Sequence, residues 1–485
     1  MCSRFLYTTL LRLKLNVKNR NIKPEKYFVT ELGKHSYLQA TNPLCAINKT
    51  QTPEVIVSDS PSLEVIRGEM APVNVDRKLK HLFDGSDWNV YDDNILNLGV
   101  GAPGPDLLQN CCDIFEAATK HRLKHEKQSN LSYLFQYGPT SGSVEIRNAI
   151  AEYFSSLYVD DPVKSEDLII TTGASQGLHF VLSTLLDLNG VIFVDEVTYM
   201  IALDTIKQFT TLTIVPLKLN DDGVDVKELE KLVREKRFQS KSKTFWAMYY
   251  TIPTYHNPTG ILFSEAVCQE LANLAREYDF LILCDDVYNI LNYTSSKPTK
   301  RLFAYDNGPG NIISNGSFAK LIGPGVRVGW LEVPARLKPI LENSGILNSG
   351  GCFNNYTSGI LASLFELKLA QEHIAIVKRA YKERMLAACE ILEKNLPVSC
   401  KWIKPLGGYF IWISLPTNTD AGKLLQTCLQ DEKIFFIIGS RFAYEPMVAN
   451  HCLRLSISFH KKDKLVDGVT RFCAVLKRYL EEPKK

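Results

Sequence analysis

Between residues 167 and 333 the chain repeats one pattern: a short run that is apolar at nearly every position, then a longer stretch with apolar residues at helical spacing. The runs are Leu168–Thr172, Val191–Val194, Leu212–Val215, Phe245–Thr251, Phe280–Asp285, Asn311–Asn315 and Val328–Val333. A strand with one wet face alternates polar and apolar residues, so a run without alternation must be covered on both faces. Seven such runs joined by helices predict an α/β fold with a mostly parallel seven-stranded sheet between helical layers. One connecting helix is explicit, with Ser264 as its N-cap and Val267, Leu271, Leu274 and Tyr278 on one face. The next run follows at once and ends on Asp285, which places that carboxylate at the C-terminal end of a strand, where open α/β sheets bind ligands.

Flanking segments follow different rules. Leu361–Leu396 reads as long helical material, Gly407–Ile413 opens a strand, and Leu465, Val469, Phe472, Leu476 and Leu480 form the stripe of a last helix. The predicted organisation is an extension over residues 1–75, a smaller α+β domain built from residues 76–130 and 361–485, and the large domain over 131–360.

Composition excludes several classes. The 485 residues are 45% hydrophobic and 22% charged, with a net charge of +3 spread along the chain, so no electrostatic footprint for nucleic acid is expected. No run of eighteen apolar residues occurs, and the stretch from Phe5 to Val17 is broken by Arg12 and Lys14, so no membrane association is expected. Twelve cysteines form no CxxC pair or regular framework and read as buried free thiols of a reducing compartment. His121 and His125 share a helical face, but with Arg122, Lys124 and Lys127 around them they read as a solvated basic face, and no metal is expected. Before the first acid, Glu25, come Arg4, Arg12, Lys14, Lys18, Arg20 and Lys23. Such a start is similar to a mitochondrial transit peptide, which predicts the mitochondrial matrix; a flexible extension of a cytoplasmic protein is the alternative.

The chemistry concentrates between residues 255 and 330. Lys320 lies in an apolar stretch with Ser317 three residues before and Arg327 seven after. A lysine among apolar neighbours and near another cation loses proton affinity, as a Schiff-base nucleophile must, while a hydroxyl and a guanidinium fork suit a phosphate dianion. Taken alone, Lys320 reads first as a surface lysine beside a Gly-Pro-Gly turn, and the rest of the chain reverses that reading. Upstream stand Asn257 in Tyr-His-Asn-Pro-Thr-Gly, and Asp285 with Tyr288 in Cys-Asp-Asp-Val-Tyr. The ordered series Asn-Pro-Thr-Gly, Asp-x-x-Tyr, Ser-x-x-Lys-x6-Arg resembles the pyridoxal-phosphate-dependent aminotransferases of classes I and II, and is nearest to their kynurenine and 2-aminoadipate branch. The resemblance spans about residues 90–460.

The resemblance implies an aspartate-aminotransferase-like fold, pyridoxal 5'-phosphate as cofactor, and a role for each motif residue. Lys320 would hold the cofactor as an imine and act as acid and base, Asp285 would keep the pyridine nitrogen protonated, and Asn257 and Tyr288 would tune the ring oxygen. Ser175 and Gln176, in Thr-Thr-Gly-Ala-Ser-Gln-Gly (171–177), would meet the phosphate at a helix N-terminus with Ser317 and Arg327. Tyr199 would stack on the ring, although a core tyrosine is the simpler alternative. Tyr137, in Gln-Tyr-Gly-Pro-Thr, would reach the phosphate of a neighbouring subunit and so implies a homodimer with shared sites. Arg454 would clamp the substrate α-carboxylate opposite Gly101, which would bring residues 80–130 to the C-terminal domain.

Arg454 also stands out without the family. It sits in Cys452–Ser458, whose alternation predicts a half-buried strand, where an arginine needs an anionic partner, either a substrate or an internal carboxylate. Within the same fold the chain could instead be a C–S lyase or an aminocyclopropane-carboxylate-synthase-like enzyme, and outside catalysis a cofactor-binding pseudoenzyme. The implied substrates are an aromatic, kynurenine-type or 2-aminoadipate-type donor and a 2-oxo acid acceptor. The sequence selects neither donor nor acceptor and does not say whether residues 1–75 are cleaved.

Overall fold

Each of the seven apolar runs forms a strand: β1 Leu168–Thr171, β2 Leu186–Asp195, β3 Thr213–Leu217, β4 Phe245–Thr251, β5 Leu281–Asp285, β6 Ile312–Ser317 and β7 Gly329–Glu332. The structure is a computed structural model that describes residues 94–481 except 131, 161, 296 and 309, so the expectations for residues 1–75 lie outside the described residues. Among the described residues these strands make one sheet in the order β1-β7-β6-β5-β4-β2-β3. Every pairing is parallel except those of β7, which runs antiparallel to both β1 and β6. All residues of β1, β4, β5, β6 and β7 are buried, as unbroken apolar runs require. β3 lies at the sheet edge and begins exposed.

The helix after β4 runs Glu265–Tyr278, and the Ser264 hydroxyl accepts from the Val267 N–H at 3.3 Å, the predicted cap. It buries Leu271, Leu274 and Tyr278, each apolar side chain of this kind contributing roughly 1.5–3 kcal/mol. Leu361–Leu396 differs from its reading as one helical stretch. A helix starts earlier, at Asn355, and ends at Glu366, and a second runs Leu369–Asn395. Lys368 between them adopts φ +64, a left-handed conformation that no α-helix continues through.

A second sheet is antiparallel: β8 Lys401–Trp402, β9 Phe410–Ser414, β10 Ile437–Ile438 and β11 Cys452–Ser456, in the order β8-β9-β11-β10. The helix Lys462–Glu481 buries Leu465, Val469, Phe472 and Leu476. From the N-terminal side, Leu96–Asn97 pairs in parallel with Ile434–Phe435, and the Ser456 N–H donates to the Leu98 carbonyl. The segment carrying Gly101 thereby lies beside the strand carrying Arg454. The helix that follows, Cys111–Ser129, packs instead on Asn355–Glu366. The ten cysteines among the described residues are all free. No helix among the described residues is long and apolar enough to cross a membrane.

Candidate active site

Parallel pairing puts the ends of β2, β4, β5 and β6 on one edge of the sheet, and that edge borders a cavity of about 210 Å³. Ser175, Tyr199, Asn257, Asp285, Tyr288, Ser317, Lys320 and Arg327 line it. Eight of the twelve residues singled out in the sequence therefore converge. A larger hollow, about 680 Å³ and lined by Arg122, Tyr153 and Phe365, contains none of them.

Asp285 is the last residue of β5. Its Oδ2 accepts from the Tyr250 hydroxyl at 2.7 Å, while its Oδ1 is buried without a hydrogen-bond partner among the described residues. Burial pushes the carboxyl up to about 6, with the negative charge of Asp286 adding to the rise; the Tyr250 bond and Lys320 oppose it. Asp286, the next residue, is not part of the cavity lining and accepts from Ser314 on β6. Lys320 follows the end of β6 in a short 3-10 turn, and its Nζ donates to the Gly101 carbonyl at 2.6 Å. Burial first, then Arg454 and Arg327, lower its pKa to about 8 against the pull of Asp285. These are the environments of a carboxylate awaiting a cationic donor and of an amine that deprotonates easily.

At the other end of the cavity the helix Ala174–Leu185 begins. Gly173 precedes it at φ +89, a conformation that favours glycine, and a Cβ there would lie 2.8 Å from Arg327 Nη2. Arg327 donates to the Thr172 and Pro324 carbonyls, each at 3.1 Å. First-turn amides, Ser175, Ser317 and Arg327 together make an anion cradle. Gln176 behaves differently from Ser175: its Oε1 accepts from the Thr172 N–H at 3.1 Å, so its side chain braces the loop and is not part of the cavity lining.

Arg454, in β11, is 2% exposed. It has no carboxylate partner among the described residues: Nη1 donates to Asn257 Oδ1 at 2.7 Å and Nη2 to the Gly99 carbonyl at 2.6 Å. Its guanidinium lies between the rings of Phe410 and Phe442, 3.9 and 4.6 Å from their centroids. Burial lowers its pKa to about 9, and Nε is buried without a partner among the described residues. The internal salt bridge that the strand pattern left open is thus absent among the described residues. Gly101 sits against the same Phe410, where a Cβ would come within 2.6 Å of the ring.

Tyr199 caps the helix Met200–Lys207, and burial pushes its phenol up to about 12. Tyr288 is fully enclosed and raised further by the same cause. Tyr137 is not brought to the cavity of its own chain: it is 79% exposed, beside Gly350.

Sequence reasoning missed Tyr250, the partner of Asp285, and the aromatic faces that enclose Arg454. The run Phe245–Thr251 carried part of the signal, because alternation puts Tyr249 and Tyr250 on opposite faces; which carboxylate each meets depends on strand order. The residues fit a pyridoxal phosphate: an orphan carboxylate oxygen for a ring N–H, an amine of lowered pKa, and the anion cradle.

The family described as Aminotransferase class I and II matches residues 93–472. An aromatic-amino-acid aminotransferase of Thermococcus litoralis is 31% identical over 82% of this chain and 90% of its own length. A kynurenine/alpha-aminoadipate aminotransferase of Rattus norvegicus, named as mitochondrial, is 27% identical over 75% and 88%. A crystal structure of a kynurenine aminotransferase from Pyrococcus horikoshii, in complex with PMP, KYN and KYA, superposes with a TM-score of 0.69 at 27% identity, covering 85% of this chain and 96% of that one.

Proposed function

The chain belongs to the class I and II aminotransferases, enzymes that work through pyridoxal 5'-phosphate, and from this premise we propose that it transfers the amino group of an aromatic, kynurenine-type or 2-aminoadipate-type L-amino acid to a 2-oxo acid. The names of the relatives support that substrate class. The observation that carries the site assignment is the buried Arg454, which has no acidic partner among the described residues and lies near enough to Lys320 to lower its pKa. Arg454 receives the α-carboxylate, with Gly101 closing the opposite side. When bound, the cofactor supplies a protonated ring that accepts negative charge from the substrate Cα. Asp285 Oδ1 would hold the ring proton, Asn257 and Tyr288 would serve the ring oxygen, Tyr199 would cover the ring, and Ser175, Ser317 and Arg327 would hold the phosphate with the Gln176 turn. Lys320 Nζ would hold the cofactor and is the group placed to act as acid and base at the substrate Cα. Orientation by the clamp decides which Cα bond breaks.

The exposed Tyr137 supports a homodimer in which this phenol completes the neighbouring phosphate site. The basic, acid-free start of the chain and the rat relative's name support a mitochondrial location, which imaging of the tagged full chain tests. For the reaction, the purified protein is offered each donor with a 2-oxo acid. Equal amounts of new oxo acid and new amino acid are expected, whereas ammonia with pyruvate would mean elimination.

A further inference from the structure

We propose that Asp195 and His256 are a positioning pair that sets Asn257, and through it the Arg454 guanidinium, for the substrate carboxylate. The proposal rests on the reading of Arg454 as the clamp. Neither residue lines the cavity, yet both side chains are fully enclosed. A carboxylate and an imidazole removed from water are costly unless their hydrogen bonds are complete. Here they are: Asp195 Oδ1 accepts from the Tyr249 hydroxyl at 2.6 Å, and Oδ2 from Thr251 Oγ1 at 2.9 Å and His256 Nε2 at 3.2 Å. A carboxylate only accepts, so His256 carries its proton on Nε2, and Nδ1 accepts from the Thr259 hydroxyl at 2.8 Å.

The main chain of His256 is held as firmly, its N–H donating to Ile261 and its carbonyl accepting from Gly260. Asn257 is the next residue, and its Oδ1 takes Arg454 Nη1. A second connection leaves Asp195 along the chain: Val197 bridges Ala443, and the Thr198 N–H donates to the Phe442 carbonyl at 2.8 Å. The Phe442 ring lies on the guanidinium. Asp195 thus stands at the root of two supports, one on the edge of Arg454 and one on its face. Both pass from the large sheet to the antiparallel one. The arrangement exceeds what closing a loop requires, since a loop held by its own backbone bonds needs no buried carboxylate.

The test uses the cofactor-loaded full chain, titrated by the change in cofactor absorbance with L-phenylalanine and with phenethylamine, which lacks the carboxylate. His256→Leu should weaken binding of the amino acid about tenfold, the scale of one buried hydrogen bond, and leave the amine and the cofactor content unchanged. His256→Gln, whose amide can still donate to Asp195, should recover most of the loss. Arg454→Lys serves as the control for the clamp, and must abolish the preference for the amino acid. If it does not, the clamp reading fails, and the proposal with it. If Arg454→Lys behaves as expected but His256→Leu binds both ligands like the wild type, or loses both equally, the pair is structural only and the proposal is overturned. Should His256→Leu not fold, Asp195→Asn decides: it keeps the volume, turns one acceptor into a donor, and should show the same selective loss.

Discussion

Lys320 and Asp285 carry opposite perturbations for one reason: burial disfavours whichever form is charged. Removing the amine by Lys320→Ala should abolish turnover and the absorbance of the lysine-bound cofactor; borohydride reduction and peptide mapping check the site, and a label on another lysine would refute it. Asp285→Asn should keep the cofactor and lose roughly a hundredfold or more in rate, because an amide cannot hold the ring proton against loss. The same carboxyl makes a prediction for the cofactor-free protein. Its folded pKa, about 6, lies above the ordinary 3.8, so between these values the folded state binds a proton that the unfolded state does not. Its contribution is complete below 3.8 and is lost as pH rises through about 6, a change of up to about 3 kcal/mol. Thermal melts of the wild type should therefore lose stability relative to Asp285→Asn across that window, and parallel curves would place the raised carboxyl elsewhere. Lys320, Asp285, Arg327 and Arg454 were legible because each sits in a motif with fixed spacing. Tyr250 and Phe442 were not, since they act through contacts made only when distant segments meet.

At the scale of elements, β4 distributes its two adjacent tyrosines to the carboxylates ending its two neighbours. Tyr249 bonds Asp195 at the end of β2, and Tyr250 bonds Asp285 at the end of β5. Alternation puts the two side chains on opposite faces of β4, and the strand order sets a carboxylate-ending strand on either side of it. Tyr250→Phe removes a bond that holds the Asp285 carboxyl down, so its pKa should rise. The acidic limb of kcat against pH should then move upward, with about a tenfold loss in rate near neutrality. An unmoved limb would show that the phenol does not tune this carboxylate. The strands themselves were legible from unbroken apolar runs, and Ser264 announced its helix. Their order was not, because any parallel arrangement buries such runs equally well. The interruption at Lys368 escaped for a related reason: its positive φ is imposed on a residue whose side chain gives no sign of it.

For the whole molecule, Arg454 crosses from the antiparallel sheet to Asn257 and Lys320 reaches Gly101, so one chain brings together Lys320, Asp285 and Arg454, the residues proposed as anchor, ring partner and clamp. Tyr137, in contrast, stays exposed and outside its own cavity. In a homodimer with shared sites that phenol serves the neighbouring phosphate. Tyr137→Phe should then weaken cofactor retention by roughly the 0.5–3 kcal/mol of one hydrogen bond, without a change in melting of the cofactor-free chain. A sharper outcome comes from mixing. Chains carrying Tyr137→Phe and chains carrying Lys320→Ala each lack one requirement, and a mixed dimer gathers both defects in one site and leaves the other intact. Activity should return toward that of a single site at cofactor concentrations where Tyr137→Phe alone is depleted. Light scattering showing a monomer, or no recovery after exchange proven by differently tagged chains, would confine Tyr137 to the surface of its own subunit.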